Sequence, residues 1–247
     1  MKQSFYDLNY SDLEIIINQN NLNYSAAAVL FNWHYKKKEN TQCNDNIAKC
    51  SLAFIQDNFD FSLPEIDTVH ESKKDRTVKF LFKLKDNHKI ETVLIPFHKK
   101  YSICLSSQVG CAMNCSFCFT GKQGLKRDLT TSEIVGQFLQ AWRWLATNRP
   151  GEQRILNIVF MGQGEPLHNF DAVKKACEIF LSQPEIVNVV VASTVKTYAA
   201  ILLWIFTSLV FSVYTSALSG LRWTSWILCQ LRTLPLQRFG FLTLAAS

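Results

Sequence analysis

From residue 101 onward the chain alternates buried strand patterns with amphipathic helix patterns, and this order constrains the fold more than any other feature. Strands are predicted over residues 102–105, 155–161 and 186–191. Helices are predicted after the first two of them, over residues 130–145 and 171–181. The order β, α, β, α, β needs helical crossovers, which make neighbouring strands parallel. The sequence therefore predicts an α/β fold built on a parallel sheet.

The residues before this region follow other patterns. Leu13, Ile16 and Ile17 recur at helical spacing in the first 61 residues. Residues 77–84 and 89–95 are β-rich, and a polar turn between them indicates a hairpin. The predicted organisation is a helical accessory domain over 1–61, a β-hairpin linker region over 62–100, a core over 101–193 and an aberrant apolar tail over 194–247.

The positive charge of the chain is unevenly distributed. The net charge is +6, and residues 62–130 alone carry twelve Lys and Arg against seven Asp and Glu. Clustered basic side chains are what phosphate contacts require, so this region is the predicted site of contact with nucleic acid. The first thirty residues lack the basic and then apolar run of a secretory signal. We therefore expect the eight cysteines to stay reduced, in the cytoplasm or an organelle matrix.

Three cysteines lie within eight residues of each other, in a polar loop that follows a predicted strand. We call Cys111, Cys115 and Cys118 the three-cysteine motif. Three thiolates on a short loop can hold three irons of a 4Fe-4S cluster and leave the fourth iron open to a small ligand. The alternatives are a structural zinc site, with Cys104 or a distant residue as fourth ligand, and chance clustering. The missing second cysteine pair favours the iron–sulfur cluster.

Three segments carry a resemblance to a known family. Residues 104–124 read CLSSQVGCAMNCSFCFTGKQG, residues 161–169 read MGQGEPLHN, and residues 91–96 read ETVLIP. Together they resemble the RlmN/Cfr family of radical S-adenosyl-L-methionine (SAM) RNA methyltransferases. The resemblance covers about residues 10–193. It implies a partial radical SAM (βα) barrel, preceded by a small N-terminal helical domain and a β-hairpin.

The resemblance also implies roles for individual residues in binding two cofactors, a 4Fe-4S cluster and SAM. The three-cysteine motif would ligate the cluster. Gly164 and Glu165 would meet the SAM amino group, because glycine permits close approach and a carboxylate complements an ammonium. Phe117 would lie near the adenine, and Ser193 falls near the serine that contacts the ribose in the family.

Two further residues match catalytic positions of the family. Glu91 matches the proton acceptor, and Cys104 matches the cysteine that pairs with the methyl-carrying cysteine to resolve the enzyme–RNA adduct. The implied reaction is methylation of carbon 2 of an adenosine in large-subunit rRNA and in tRNA, with carbon 8 open as an alternative. The implied partners are these RNAs and an electron donor such as flavodoxin or ferredoxin.

The end of the chain departs from the family. Residues 186–247 contain no Asp or Glu, and residues 197–221 carry no charge at all. A frame-shifted or mis-spliced end is the favoured interpretation; a membrane segment over 197–221 and a divergent continuation of the barrel are the alternatives. No cysteine in the tail is assigned as methyl carrier, so the expectation is a C-terminally truncated or frame-shifted family member. The second functional hypothesis is a non-catalytic iron–sulfur or RNA-binding remnant.

Overall fold

The computed structural model describes residues 2–37, 47–97, 100–116, 118–152, 154–183, 185–186, 188–192 and 241–245. The strands are β1 Gln3–Ser4, β2 Phe59–Asp60, β3 Glu65–Glu71, β4 Val78–Lys83, β5 Lys89–Phe97, β6 Lys100–Cys104, β7 Gln108–Val109, β8 Arg127–Asp128, β9 Ile155–Phe160, β10 Asn188–Ala192 and β11 Phe241–Ala245. The helices are α1 Tyr10–Gln19, α2 Ser25–Phe31, α3 Lys49–Asn58, α4 Phe119–Gln123, α5 Thr131–Asn148 and α6 Phe170–Leu181. A 3₁₀ turn, Phe5–Asp7, precedes α1, and a π-helix, Asn32–Lys37, follows α2.

One seven-stranded sheet organises the molecule, in the order β11-β10-β9-β6-β5-β4-β3. Strands β6, β9 and β10 are parallel neighbours, as the alternating pattern predicts. Strands β3, β4 and β5 extend the sheet on one side as an antiparallel meander. The predicted hairpin corresponds to β4 and β5. Its alternation places Phe80 and Phe82 in the core and leaves Lys79 exposed.

The crossover helices α5 and α6 pack against each other and against one face of the sheet. Thr130 and Glu133 form the predicted capping box of α5, each side chain accepting from the other residue's backbone N–H. Phe138 of α5 packs against Phe180 of α6 with ring centroids 5.3 Å apart. Burial of these apolar faces fixes the helices on one side and leaves the other face of the sheet available for a site.

The N-terminal helices share a continuous core with the sheet domain. The backbone N–H of Ser132 donates to Asp7 at 2.7 Å, and Lys175 lies 2.7 Å from Asp12. Buried side chains from both regions form one hydrophobic cluster. The proposed domain boundaries at residues 61, 100 and 193 remain predictions.

The sequence reasoning missed β3, which pairs with β4 across a register shift between Ile66 and Thr68. Its side chains are mostly exposed, so it lacks the apolar alternation by which strands are recognised. The interpretations of the tail fall on residues that mostly lie outside those described. Within the tail, β11 pairs antiparallel with β10. None of the helices in the described ranges is long and apolar enough to cross a membrane, and residues 197–221 lie outside those ranges.

Candidate cofactor site

The candidate site lies where the parallel strands β6 and β9 end. The chain leaving β6 continues as residues 105–108, and the chain leaving β9 continues as residues 162–165; we call the second segment the glycine loop. The Gly162 N–H donates to the Leu105 carbonyl at 3.1 Å, and the Ser107 N–H donates to the Gln163 carbonyl at 2.8 Å. Carboxyl ends of parallel strands are where α/β and barrel proteins form their active sites.

Two glycines allow the two segments to approach this closely. A Cβ at Gly162 would lie 2.7 Å from the Leu105 carbonyl oxygen. A Cβ at Gly164 would lie 2.7 Å from the backbone nitrogen of Gln108, and Gly164 also has φ +101°. No other residue fits either position without movement of the neighbouring backbone. The glycines of the Met-Gly-Gln-Gly-Glu-Pro segment therefore serve close packing as well as any contact with a ligand.

A buried hydrogen-bond network holds the end of β6 in place. The Gln137 side chain, on α5, accepts from the Ser106 N–H at 2.9 Å and from the Thr92 hydroxyl at 2.7 Å, and donates to the Ser106 carbonyl at 3.1 Å. The Ser106 hydroxyl donates to the Glu91 carbonyl at 2.6 Å and accepts from the Gln163 N–H at 3.0 Å. The sequence reasoning missed Gln137. A fully buried glutamine within an otherwise apolar helix face is the signal that could have identified it.

A second set of side chains fixes the glycine loop to the start of residues 107–118, which we call the cysteine loop. The Glu165 N–H donates to Gln108 Oε1 at 2.8 Å, and Gln108 Nε2 donates to Asp128 at 2.7 Å. Asn169 Nδ2 donates to the carbonyls of Ser107 and Leu129, at 2.8 and 2.7 Å. Because these polar groups are buried and paired, the geometry of both loops is set before any ligand binds.

The three-cysteine motif lies between β7 and α4. Cys111 is buried, whereas Cys115 and Cys118 are half-buried. Desolvation by burial raises the pKa of the Cys111 thiol; a hydrogen bond from the Met113 N–H opposes this effect, and the nearby Glu165, Cys115 and Cys118 add to it. The Cys118 N–H donates to the Cys115 carbonyl at 3.0 Å, closing a turn.

The donor set of this loop fits an iron–sulfur cluster in its chemistry. Soft thiolates on one short loop are the usual ligands of such clusters. Across the described residues, no three His, Cys, Asp or Glu side chains are grouped closely enough to hold a metal ion. The three cysteines therefore share one loop, but their thiols do not converge in the geometry of a metal site. Their convergence on a cluster remains a prediction.

Glu165 is joined to the start of the cysteine loop through its backbone N–H, which donates to Gln108. Its side chain is 2 % exposed, and its carboxylate accepts from the Leu167 N–H at 3.3 Å. A carboxylate held this way at a buried position can bind an ammonium group strongly.

Glu91 and Cys104 lie on the sheet face opposite the helices. Cys104 pairs with Val93 across β5 and β6, and Glu91 lies two residues further along β5 on the same face. Glu91 forms an ion pair with Lys79, with Oε1 and Nζ 2.6 Å apart. Burial raises the pKa of the Cys104 thiol, and a hydrogen bond from the Met161 N–H partly offsets this.

The remaining assigned residues lie outside the described ranges. Phe117 and Ser193 are the residues that sequence reasoning placed near the adenine and the ribose, and nothing in the structure bears on them. Cys177, which received no role, is buried in α6, and desolvation raises the pKa of its thiol to about 12. A buried, protonated thiol of this kind is a packing residue.

The fold of this chain is similar to that of a radical SAM methyltransferase from Sphaerobacter thermophilus, with a TM-score of 0.65 and 31% sequence identity. That likeness covers 74% of this chain and 53% of the other. The predicted α/β fold with a partial radical SAM barrel is thereby confirmed. No model of a protein family matches the chain.

Curated relatives give a more specific result. A probable dual-specificity RNA methyltransferase RlmN from Clostridium botulinum is 37% identical over 177 residues, covering 72% of this chain and 49% of the relative. The dual-specificity RNA methyltransferase RlmN from Bdellovibrio bacteriovorus is 42% identical over 182 residues, covering 72% and 44%. The chain belongs to the RlmN/Cfr family of radical SAM methyltransferases, and it spans about half the length of the curated relatives it matches.

Proposed function

We propose that this chain carries the cofactor-binding part of an enzyme that methylates carbon 2 of an adenosine in large-subunit rRNA and in tRNA. The observation that carries the proposal is the junction of the glycine loop with the start of the cysteine loop, where the Glu165 N–H donates to Gln108, three residues before Cys111. The relatives named as RNA methyltransferases support the substrate class.

In this proposal, different residues of the chain bind and position the two cofactors. The thiolates of Cys111, Cys115 and Cys118 hold a 4Fe-4S cluster, and Glu165 receives the ammonium group of SAM. Gly164 provides a backbone edge that a small ligand can approach. The cluster, when bound, supplies the electron that cleaves SAM and generates the radical needed for methyl transfer.

Residues on the sheet face opposite the helices have separate proposed roles. Glu91 accepts a proton from the substrate, and its ion pair with Lys79 orients the carboxylate. Cys104 is the resolving thiol. Phe117 and Ser193 are proposed to contact the adenine and the ribose of SAM. An electron donor such as flavodoxin or ferredoxin and a reducing compartment, the cytoplasm or an organelle matrix, complete the proposal.

A product assay tests this function. The full chain, reconstituted anaerobically, is incubated with a reductant, SAM and unmodified rRNA or tRNA. Mass spectrometry then quantifies 5′-deoxyadenosine and methyladenosine. A Glu165→Gln variant is expected to lose SAM cleavage, because it removes the charge that binds the ammonium, whereas Glu178→Gln, on α6, is the control. Absence of both products from the wild type would contradict the proposal.

The same assay distinguishes the second candidate, a non-catalytic iron–sulfur or RNA-binding remnant. The observation that favours it is the extent of the match, about half of each relative. The family route uses a methyl-carrying cysteine that has no assigned counterpart in this sequence. We expect 5′-deoxyadenosine without methyladenosine from these 247 residues. Methyladenosine formed over several turnovers would refute that expectation.

A further inference from the structure

An exposed aromatic side chain lies directly beside the cysteine loop. Phe119 is 74 % exposed, more than any other large hydrophobic side chain in the described ranges. It is the first residue of α4 and follows Cys118 in the chain. Burying a phenylalanine is favourable by about 2 kcal/mol. A single exposed ring is ordinary on a protein surface, so the side chains beside Phe119 decide whether it belongs to a contact surface.

Helix α4 is seated so that Phe119 faces outward. A Cβ at Gly121 would lie 3.0 Å from Asn114 Cα and 3.2 Å from the Cys115 backbone nitrogen, so this side of α4 packs against the cysteine loop. Lys122, three residues after Phe119, lies on the same side of the helix as Phe119 and is exposed. The ring and the lysine thus share an outward surface.

The chain around α4 carries basic side chains. Residues 118–127 contain three Lys and Arg and no Asp or Glu. Lys122 and Lys126 are exposed, and neither takes part in an ion pair among the described residues. Arg127 differs, because it binds Asp86 and Glu133 and serves the structure instead.

We propose that Phe119, Lys122 and Lys126 form an RNA contact, in which the ring stacks on an unpaired base beside the target nucleotide and the lysines bind phosphates. We call these three residues the stacking patch. The proposal rests on the proposed function. A base that undergoes chemistry must leave its stack, which deprives its neighbour of a stacking partner. An aromatic ring replaces that partner whatever the base, while the lysines hold the backbone.

Binding measurements on the full, anaerobically reconstituted chain test the proposal. The probe is a single-stranded RNA of about twelve nucleotides, with 2-aminopurine next to a central adenosine; its fluorescence falls when the base stacks. Phe119→Ala is expected to weaken binding about tenfold and to abolish part of the quenching. Phe119→Trp is expected to stay within about twofold of the wild type, because an aromatic face is retained.

The lysines are tested by salt dependence. Affinity for RNA falls as salt rises. For Lys122→Ala combined with Lys126→Ala, the slope of log affinity against log salt is expected to become less negative by about 1.4, or about 0.7 per phosphate contact. The matched controls carry the same changes elsewhere on the surface: Tyr24→Ala, an exposed aromatic residue, and Lys49→Ala combined with Lys174→Ala. Both controls are expected to bind as the wild type does.

The outcomes separate this proposal from the proposed function. If the wild type binds RNA and Phe119→Ala binds equally well with full quenching, the stacking patch is wrong and the proposed function stands. If the wild type binds no RNA at any salt concentration, the stacking patch is overturned, whereas the product assay still decides the proposed function. A second copy of the chain is the other molecule that could cover this surface, and sedimentation tests for it. A dimer that Phe119→Ala converts to monomers would overturn the RNA contact. Far-UV circular dichroism verifies that each variant is folded.

Discussion

Alanine substitutions at three glycines, two of them in the glycine loop, separate the cost of backbone strain from the cost of overpacking. Gly151 has φ +87° and open space around its Cα, so Gly151→Ala adds backbone strain alone. Gly162 lies outside the left-handed region, and its Cβ would meet Leu105 and Ser106 backbone atoms at 2.7–2.9 Å. Gly162→Ala therefore adds overpacking alone. Gly164→Ala adds both, because φ is +101° and the nearest atoms lie at 2.6–2.7 Å.

The expected losses of unfolding free energy follow from these geometries. Strain in the left-handed region costs about 1 kcal/mol, which we expect for Gly151→Ala. Overpacking against backbone costs about 2 kcal/mol, which we expect for Gly162→Ala. If the two add, Gly164→Ala loses about 3 kcal/mol. In a chain of this size the corresponding decreases in melting temperature are about 3, 6 and 9 °C.

Thermal and urea unfolding of the apoprotein measure these losses, and equilibrium dialysis of SAM measures the effect on binding. We expect Gly162→Ala and Gly164→Ala to lose SAM binding, because both displace the glycine loop from the chain leaving β6. Gly151→Ala, in the turn before β9, is expected to retain it. Equal destabilisation by all three substitutions would refute the packing argument, and full SAM binding by Gly164→Ala would refute the assignment of that loop to the cofactor.

Three further predictions concern the cysteine loop, the network behind it and the N-terminal core. The reconstituted chain should bind about four irons and four sulfides, and lose them when the three-cysteine motif is changed to alanine. Gln137→Ala should lower the unfolding free energy by about 3 kcal/mol, because it leaves buried polar groups of Ser106 unpaired. Burial lowers the pKa of His34 to about 4, so the unfolded chain binds more protons between pH 6.5 and 4. Stability should therefore fall by about 3 kcal/mol over that interval, and His34→Phe should remove this loss.

Each of these predictions has its own control. Cys50→Ala, outside the motif, should keep the irons, and stoichiometric zinc without labile sulfide would contradict the cluster. Gln140→Ala removes one hydrogen bond to the Pro64 carbonyl and should cost about 1 kcal/mol. An equal cost at both glutamines would count against the network. Urea unfolding at several pH values decides the third prediction, and parallel pH profiles for the wild type and His34→Phe would show that another group is responsible.

The order of elements could be predicted from the sequence because it depends on local patterns. Alternation in β4, the capping box of Thr130 and the periodicity of α6 are each contained within a few residues. The three-cysteine motif was recognised for the same reason, whereas the Gly-Glu pair of the glycine loop was assigned through the resemblance of its segment to a known family. Strand β3 could not be recognised, because its stability comes from pairing with β4 and its side chains carry no apolar pattern.

The sequence by itself determined the strands and helices of the α/β core, their order, and which residues offer thiolates and carboxylates. The tertiary structure decided which of these meet. Gln137 contacts Ser106 across 31 positions of the chain, and Glu165 contacts Gln108 across 57. No local pattern encodes such pairs, because they form only when burial of the helices against the sheet brings the ends of the strands together. The exposure of Phe119 was decided in the same way, by the side on which Gly121 lets α4 pack.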